Sequence, residues 1–328
     1  MSQGPLALSA SRIVQPPSFV QPGRSLMIGA TVYSPPLATG VIHELPCERR
    51  TIHGHFSCGL PPVLAIDSGD TIHLSTLQGG WLLEPGVFLE PRDPEADAGH
   101  PLCGPVEVRG ARAGQTLEIR IGSLRPSWWG ATLAEGEILP WGLDADARTG
   151  RSAAGLVVEL RPFLGVLGMP PPEEGVHSTV PPRRWGGNLD CKELVEGTTL
   201  FLPIPVDGAL FSAGDGHARQ GDGEVSGSAI ECGMEHVELT LSVRDDLPLD
   251  APLAWTPDAW ITFGLDEDLD RAAHQATEDM LALLGREYDV DRAEALALAS
   301  VVVDLRVTQI VNEVCGVHAV LPHDALRG

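Results

Sequence analysis

Short apolar runs separated by turn signals recur from Met1 to about Pro205: Val63 to Ile66, Thr71 to Leu74, Val106 to Val108, Thr116 to Ile121 and Thr199 to Pro205. Within Thr116-Leu117-Glu118-Ile119-Arg120-Ile121 the apolar residues at 117, 119 and 121 fall on one face of an extended chain, so one side is buried and the other wet. Ser68-Gly69-Asp70 and Arg112-Ala113-Gly114-Gln115 read as turns that launch strands. Pro170 to Pro172 and Pro181-Pro182 keep their surroundings extended, because proline removes a donor and restricts the residue before it. This rhythm predicts an antiparallel sandwich-like or barrel-like part over residues 1–205.

After Asp207 the pattern shifts to strands followed by helices. Strands are expected near Leu210 to Ala213, Glu224 to Glu231 and Val237 to Val243. A helix should begin in Asp266-Glu267-Asp268, where acidic residues suit the positive end of the helix dipole. It should carry Leu269, Ala272, Ala273, Ala276, Met280 and Leu283 along one stripe and stop at Gly285. Asp291 and Glu294 have the spacing of a capping box before a second helix over Ala295 to Val303. The expected architecture is a β-rich α+β fold, with an N-terminal β-sandwich-like subdomain (1–205) packed against a C-terminal α/β subdomain with two helices (206–328).

Charge narrows the range of partners. The 45 acidic residues against 22 basic ones give a formal net charge of −23, a surface that repels phosphate backbones and anionic lipid heads, so neither nucleic acid nor membrane is expected. No apolar run approaches the roughly 18 residues of a membrane helix. Six cysteines stand apart without C-x-x-C pairs, and no basic segment followed by an apolar stretch opens the chain, which predicts a reduced, cytoplasmic protein.

The densest candidate chemistry lies in Gly214-Asp215-Gly216-His217-Ala218-Arg219-Gln220-Gly221-Asp222-Gly223-Glu224. Asp215 with His217, and Asp222 with Glu224, are each two apart, so on extended backbone each pair shares a face, and the glycines allow turns and close approach to a ligand. Imidazole and carboxylate together suit zinc or a similar divalent ion, with a spare carboxylate as general base. Spacing alone fits a solvated acidic turn equally well.

Upstream, Asp190-Cys191-Lys192 contains the only lysine of the chain. Asp190 could ligate a metal, Lys192 could hold an oxyanion, and Cys191 could be a nucleophile; the bland alternative is an ion pair beside an inert buried thiol. His53 and His55, at i and i+2, could face one site or be satisfied structural groups. The alternating segment Asp304 to Asn312 could line a site or merely satisfy backbone groups.

Taken in order, these passages resemble the acetamidase/formamidase family. The resemblance rests on His53-Gly54-His55-Phe56 through Thr71, Leu102-Cys103-Gly104-Pro105-Val106, Gly186-Gly187-Asn188-Leu189-Asp190-Cys191-Lys192, Gly214-Asp215-Gly216-His217-Ala218 and Gly221-Asp222-Gly223-Glu224, and runs on to Pro322. It implies a homo-oligomer, a dimer or higher, that hydrolyses formamide, acetamide or related small amides, with some relatives acting on lactams. It also implies a divalent metal, zinc foremost.

On this basis Asp190, Asp215 and His217 are expected as metal ligands, Glu224 or Asp222 as the proton carrier, Lys192 as an oxyanion partner and His53 as a further catalytic candidate. The competing readings are a Cys191 thiolate amidase and a non-catalytic small-molecule binding module. Two departures from the family pattern, Gln78 in place of an acidic residue and His100 and Cys103 around a segment expected to read N-P-x-x-G-P, put substrate preference in question.

Overall fold

The computed structural model describes Tyr33 and residues 40–326. Alternating apolar residues in the longer strands force two large sheets to bury one face each. A nine-stranded sheet runs, in spatial order, through Ile42–Leu45, Asp70–Thr76, Met234–Arg244, Thr116–Pro126, Thr199–Pro203, Leu253–Trp255, Ala259–Asp266, Cys315–Pro322 and Asp304–Gln309. The second sheet has eleven strands, with Phe211–His217 at its centre, flanked by Phe163–Gly168 and Glu231–Cys232 and also paired to Leu102–Val108. A single apolar cluster joins residues of both sheets, including Ile72, Ile119, Leu164, Phe211 and Leu239.

Most of the expected strands appear, some longer than expected and two, Leu64–Ile66 and Thr199–Pro203, shorter. Thr116 to Ile121 lies within Thr116–Pro126, and Thr71 to Leu74 within Asp70–Thr76. Glu224 to Glu231 is not a strand: Gly223 and Gly227 adopt positive φ and the segment coils, leaving only Glu231–Cys232 in the sheet. Strands from both sides of residue 205 interleave in each sheet, so neither sheet breaks at the expected boundary.

Two helices follow the strand Ala259–Asp266, and the first packs on the nine-stranded sheet. Helix α1 spans Leu269–Tyr288, capped by the Asp268 side chain accepting from Arg271 N, and α2 spans Arg292–Val302, capped by Asp291 accepting from Glu294 N. Gly285 lies inside α1, and the stop comes at Asp289 in the left-handed region. Ala272, Ala276, Met280 and Leu283 of the predicted stripe are buried against Val317, Ala319 and Leu321 of the nine-stranded sheet, Ala273 is half-buried and Leu269 stays exposed. Among the described residues, no helix is long and apolar enough to cross a membrane.

Candidate active site

The central strand Phe211–His217 delivers the first two groups. Asp215 and His217 are two apart and do share a face: Asp215 Oδ2 lies 3.2 Å from His217 Nε2. Asp215 sits at φ 60, a conformation that costs a non-glycine residue backbone strain and that the surrounding strands must impose. The neighbouring strand Glu231–Cys232 adds Glu231, whose Oε2 lies 3.2 Å from the same nitrogen.

The other ring nitrogen, His217 Nδ1, faces Asp190 Oδ1 at 3.9 Å. Glu224 completes that side, its carboxylate within 4.8 Å of the Asp190 and His217 ligand atoms. His217 therefore stands between two carboxylate pairs, Asp190 with Glu224 on one side and Asp215 with Glu231 on the other. Phe163 meets the imidazole edge-on, with ring centroids 5.0 Å apart.

Glycine makes the room for this cluster. A Cβ on Gly165, in the strand Phe163–Gly168, would lie 2.5 Å from Asp215 Oδ2, 2.6 Å from Asp190 Oδ1 and 3.0 Å from His217 Cε1. Gly79 borders the opposite flank, where a Cβ would meet Asp215 Oδ1 at 2.8 Å, Glu231 at 3.4 Å and His100 at 4.0 Å. The departures at Gln78 and His100 thus sit beside the Asp215 side. Gln78 accepts from Gly80 N, and His100 Nδ1 is 2.9 Å from Thr179 Oγ1.

Asp190 is held from two directions. Asn312 Nδ2 donates to its Oδ2 at 2.5 Å, and Gln220 Nε2 donates to its backbone carbonyl at 2.8 Å. Gln309 shapes the loop carrying Asn312 by accepting from Val311 N and Asn312 N and donating to Val314 O.

The electrostatics call for a cation. Four carboxylates and one imidazole are brought together in or at the edge of the core, and among the described residues no Arg or Lys ion-pairs with any of the four. Burial, reinforced by Glu224, Asp215 and Glu231, pushes the Asp190 carboxyl well above its usual range, and burial pushes Glu224 up to about 7. Burial opposes charging His217, but Glu231 and Asp215 overcome it and raise the imidazole.

Asp190 Oδ1, Asp215 Oδ1, His217 Nδ1 and Glu224 Oε2 are buried and have no hydrogen-bond partner. Such atoms are costly to leave bare, and an oxygen-rich set with one imidazole fits a divalent ion of the zinc class. The residues present therefore fit the cation that the resemblance implies.

Three predicted residues are not brought into this cluster. Asp222 and Glu224 were expected to share a face, but Gly223 at φ 93 and Glu224 at φ 44 break the extension, so Glu224 turns inward and Asp222 outward to Lys192 Nζ at 3.0 Å. Asp190 and Lys192 likewise lie on a turn, with Asp190 at φ 48, and Lys192 pairs with Glu193 at 2.9 Å. His53 is buried between the His55 carbonyl and Ser212 Oγ, and burial pushes its pKa down to about 4, which fits a neutral structural imidazole.

Cys191 is sealed in the core, and burial pushes its thiol up to about 12, the reverse of an activated nucleophile. Sequence reasoning missed Glu231, Gly165 and Gln220. Glu231 is a lone acid before a cysteine, Gly165 one glycine among apolar neighbours, and Gln220 an amide inside the acidic run, so only the pairing of strands and loops gives them meaning.

Comparison with known proteins identifies the family and the fold. The profile of the Acetamidase/Formamidase family matches residues 172–327. The structure superposes on an acetamidase from Bacillus halodurans with a TM-score of 0.76 at 30% identity, covering 85% of this chain and 97% of that one. An acetamidase of Mycolicibacterium smegmatis is 52% identical over 56 residues, 17% of this chain and 14% of its own length. A formamidase of Methylophilus methylotrophus is 48% identical over 48 residues, 15% of this chain and 12% of its own. The match thus spans a small part of those two curated relatives, whereas the structural match covers nearly the whole of its counterpart. With the family profile over residues 172–327, and 30% identity to an acetamidase matched over 97% of its length, the chain belongs to the acetamidase/formamidase family.

Proposed function

We propose that the protein is an amidohydrolase that cleaves short linear carboxylic amides, formamide or acetamide or close relatives, to carboxylate and ammonia. The observation that carries this reading is the set of four carboxylates around His217 with unpartnered ligand atoms, in a chain of this family. His217 would hold a divalent cation, zinc foremost, either through Nδ1 with Asp190 or through Nε2 with Asp215 and Glu231, the carboxylates that face its two ring nitrogens. When bound, that cation supplies Lewis acidity, polarising a carbonyl and lowering the pKa of water.

The chain's own residues do the rest. Glu224 takes a proton from the attacking water and returns it to the departing nitrogen, which leaves as ammonia and not as the far poorer amide ion. Asn312 and Gln220 keep Asp190 oriented, as outer partners of ligating carboxylates do. Gly165 and Gly79 leave the room in which these carboxylates lie against the imidazole.

Two broader features accompany this reading. Six free cysteines support a reducing, cytoplasmic setting. Exposed Trp128, Leu133, Ile138 and Leu156, on and beside the hairpins of residues 129–159, support a homo-oligomer, since such apolar surface is commonly covered by a subunit.

Ammonia release from formamide, acetamide, propionamide and a γ-lactam, before and after prolonged chelation and again after zinc is restored, tests the proposal. Release that vanishes with the metal and returns with it is expected for at least one linear amide. Release that survives complete metal removal would sink the cation role, and none from any amide would leave a non-catalytic binding module in front.

A further inference from the structure

A second group of metal-type ligands lies on the nine-stranded sheet. Its inward residues Ile72, Leu74, Val237 and Leu239 belong to the core cluster, while alternation turns His73, His236 and Glu238 to the opposite face, where all three are half-buried. In register, His73 on Asp70–Thr76 is opposite Glu44 on one neighbouring strand and opposite Glu238 on the other, giving a row of carboxylate, imidazole and carboxylate across three strands.

His236 joins them because the strand Met234–Arg244 shifts register between Met234 and Val237, and its ring meets that of His73 edge-on at 4.9 Å. His73 Nδ1 is 3.1 Å from Glu44 Oε1 and its Nε2 is 3.8 Å from Glu238 Oε2. One ligand atom from each of His73, His236 and Glu238 falls within 4.8 Å of the others. Opposite them stands Gly122, where a Cβ would come within 2.7 Å of Glu238 Oε1, so the glycine keeps room for that carboxylate. The nearest cation in register, Arg125 beside His236, is already engaged by Asp146 and Glu235.

We propose that His73, His236 and Glu238 form a second, surface site for a divalent ion of the zinc class, with Glu44 holding the other ring nitrogen of His73 and so orienting the imidazole. Two imidazoles and one carboxylate favour zinc, nickel or copper(II) over magnesium or calcium, which prefer all-oxygen shells. Three ligands on hydrogen-bonded strands are pre-organised, and the bound ion cross-links two adjacent strands near one edge of the sheet. Neither the buried cluster around His217 nor the reaction depends on it.

The test is zinc content per chain after equilibrium dialysis of the purified full-length protein against zinc chloride, for wild type, His73→Gln, His236→Gln and the double variant. Each single variant should lose one equivalent and the double variant no more than one, with the metal of the His217 cluster and any amidase activity unchanged. Equal zinc content in wild type and variants overturns the proposal. Should the variants fail to fold, carbethoxylation of wild type decides by peptide mapping. Zinc should protect His73 and His236 from reagent, and unaltered labelling of both with and without zinc overturns the site.

Discussion

At the scale of single residues, the cluster around His217 is a case of polar groups buried beyond what hydrogen bonds can satisfy, and two substitutions separate the roles within it. Glu224→Gln keeps the shape and a donor but removes the proton acceptor. It should lower kcat by about a hundredfold or more while zinc content, measured on the same preparation, stays at the wild-type level. Loss of zinc in that variant would make Glu224 a ligand instead. Gly165→Ala pushes a methyl group to within 2.5 Å of Asp215 and 2.6 Å of Asp190. Competition with a chelator should show metal affinity weakened by about ten- to a hundredfold, because ligand orientation is lost although no ligand is removed. Unchanged affinity would mean that the strand relaxes and that the glycine is not the floor of the site.

Single elements carry their own consequences. Asp279 is half-buried on α1, and burial, with smaller contributions from Asp250 and Glu278, pushes its carboxyl up to about 6. Because the folded value lies above the unfolded one, ionising Asp279 destabilises the protein. The penalty is absent below about pH 4, grows as pH rises through 6 and is complete above it. The shift taken at face value is worth ~3 kcal/mol, and solvent screening of a half-exposed group reduces that to about 1 kcal/mol. Urea unfolding at pH 4.5 and pH 7.5 should show Asp279→Asn gaining roughly that much over wild type at the higher pH and only a fraction of it at the lower. An equal effect at both pH values would point to packing and not to charge.

The same scale shows how far local rules reach. The acidic start of α1, the capping side chain Asp291 and most of the buried stripe of α1 are legible because each depends on neighbours within a turn or two. The end of α1 was misread because a glycine within a helix looks like a glycine that stops one, and the packing of Leu281, Leu283 and Leu284 carries the helix past it.

Across the whole molecule, the ion network at Glu193 ties distant segments together. Lys192 and Arg306 each approach its Oε1, at 2.9 and 3.0 Å, and Arg161 bonds its Oε2, joining the turn after Asp190 to the edge strand Asp304–Gln309 and to the entry of Phe163–Gly168. Burial raises the Glu193 carboxyl, but Lys192 and Arg161 more than offset it and hold it down at about 2. A depressed folded value means stability that is present above the unfolded value, about 4.5, and is lost as pH falls towards 2. Glu193→Gln should destabilise the protein by about 2 kcal/mol at pH 7 and flatten its acid loss between about pH 4.5 and 2, as read by thermal melts across that range. A parallel acid limb in both proteins would remove Glu193 from the account.

The sequence by itself determined the strand-rich composition, the two helices with their caps, the acidic surface and the pairing of Asp215 with His217, because each follows from spacing along one element. It also marked Asp190 and Glu224 as candidates through the motifs they sit in. Only the tertiary structure decided that Asp222, Lys192 and His53 stand outside the cluster. Left-handed backbone at Asp190, Gly223 and Glu224 reverses the faces that an extended chain would present. Only the tertiary structure, too, brought Glu231 and Gly165 to His217 and Asn312 to Asp190, from three separate segments. Which carboxylate meets which imidazole is set by strand register and loop crossing, long-range properties that no local pattern encodes.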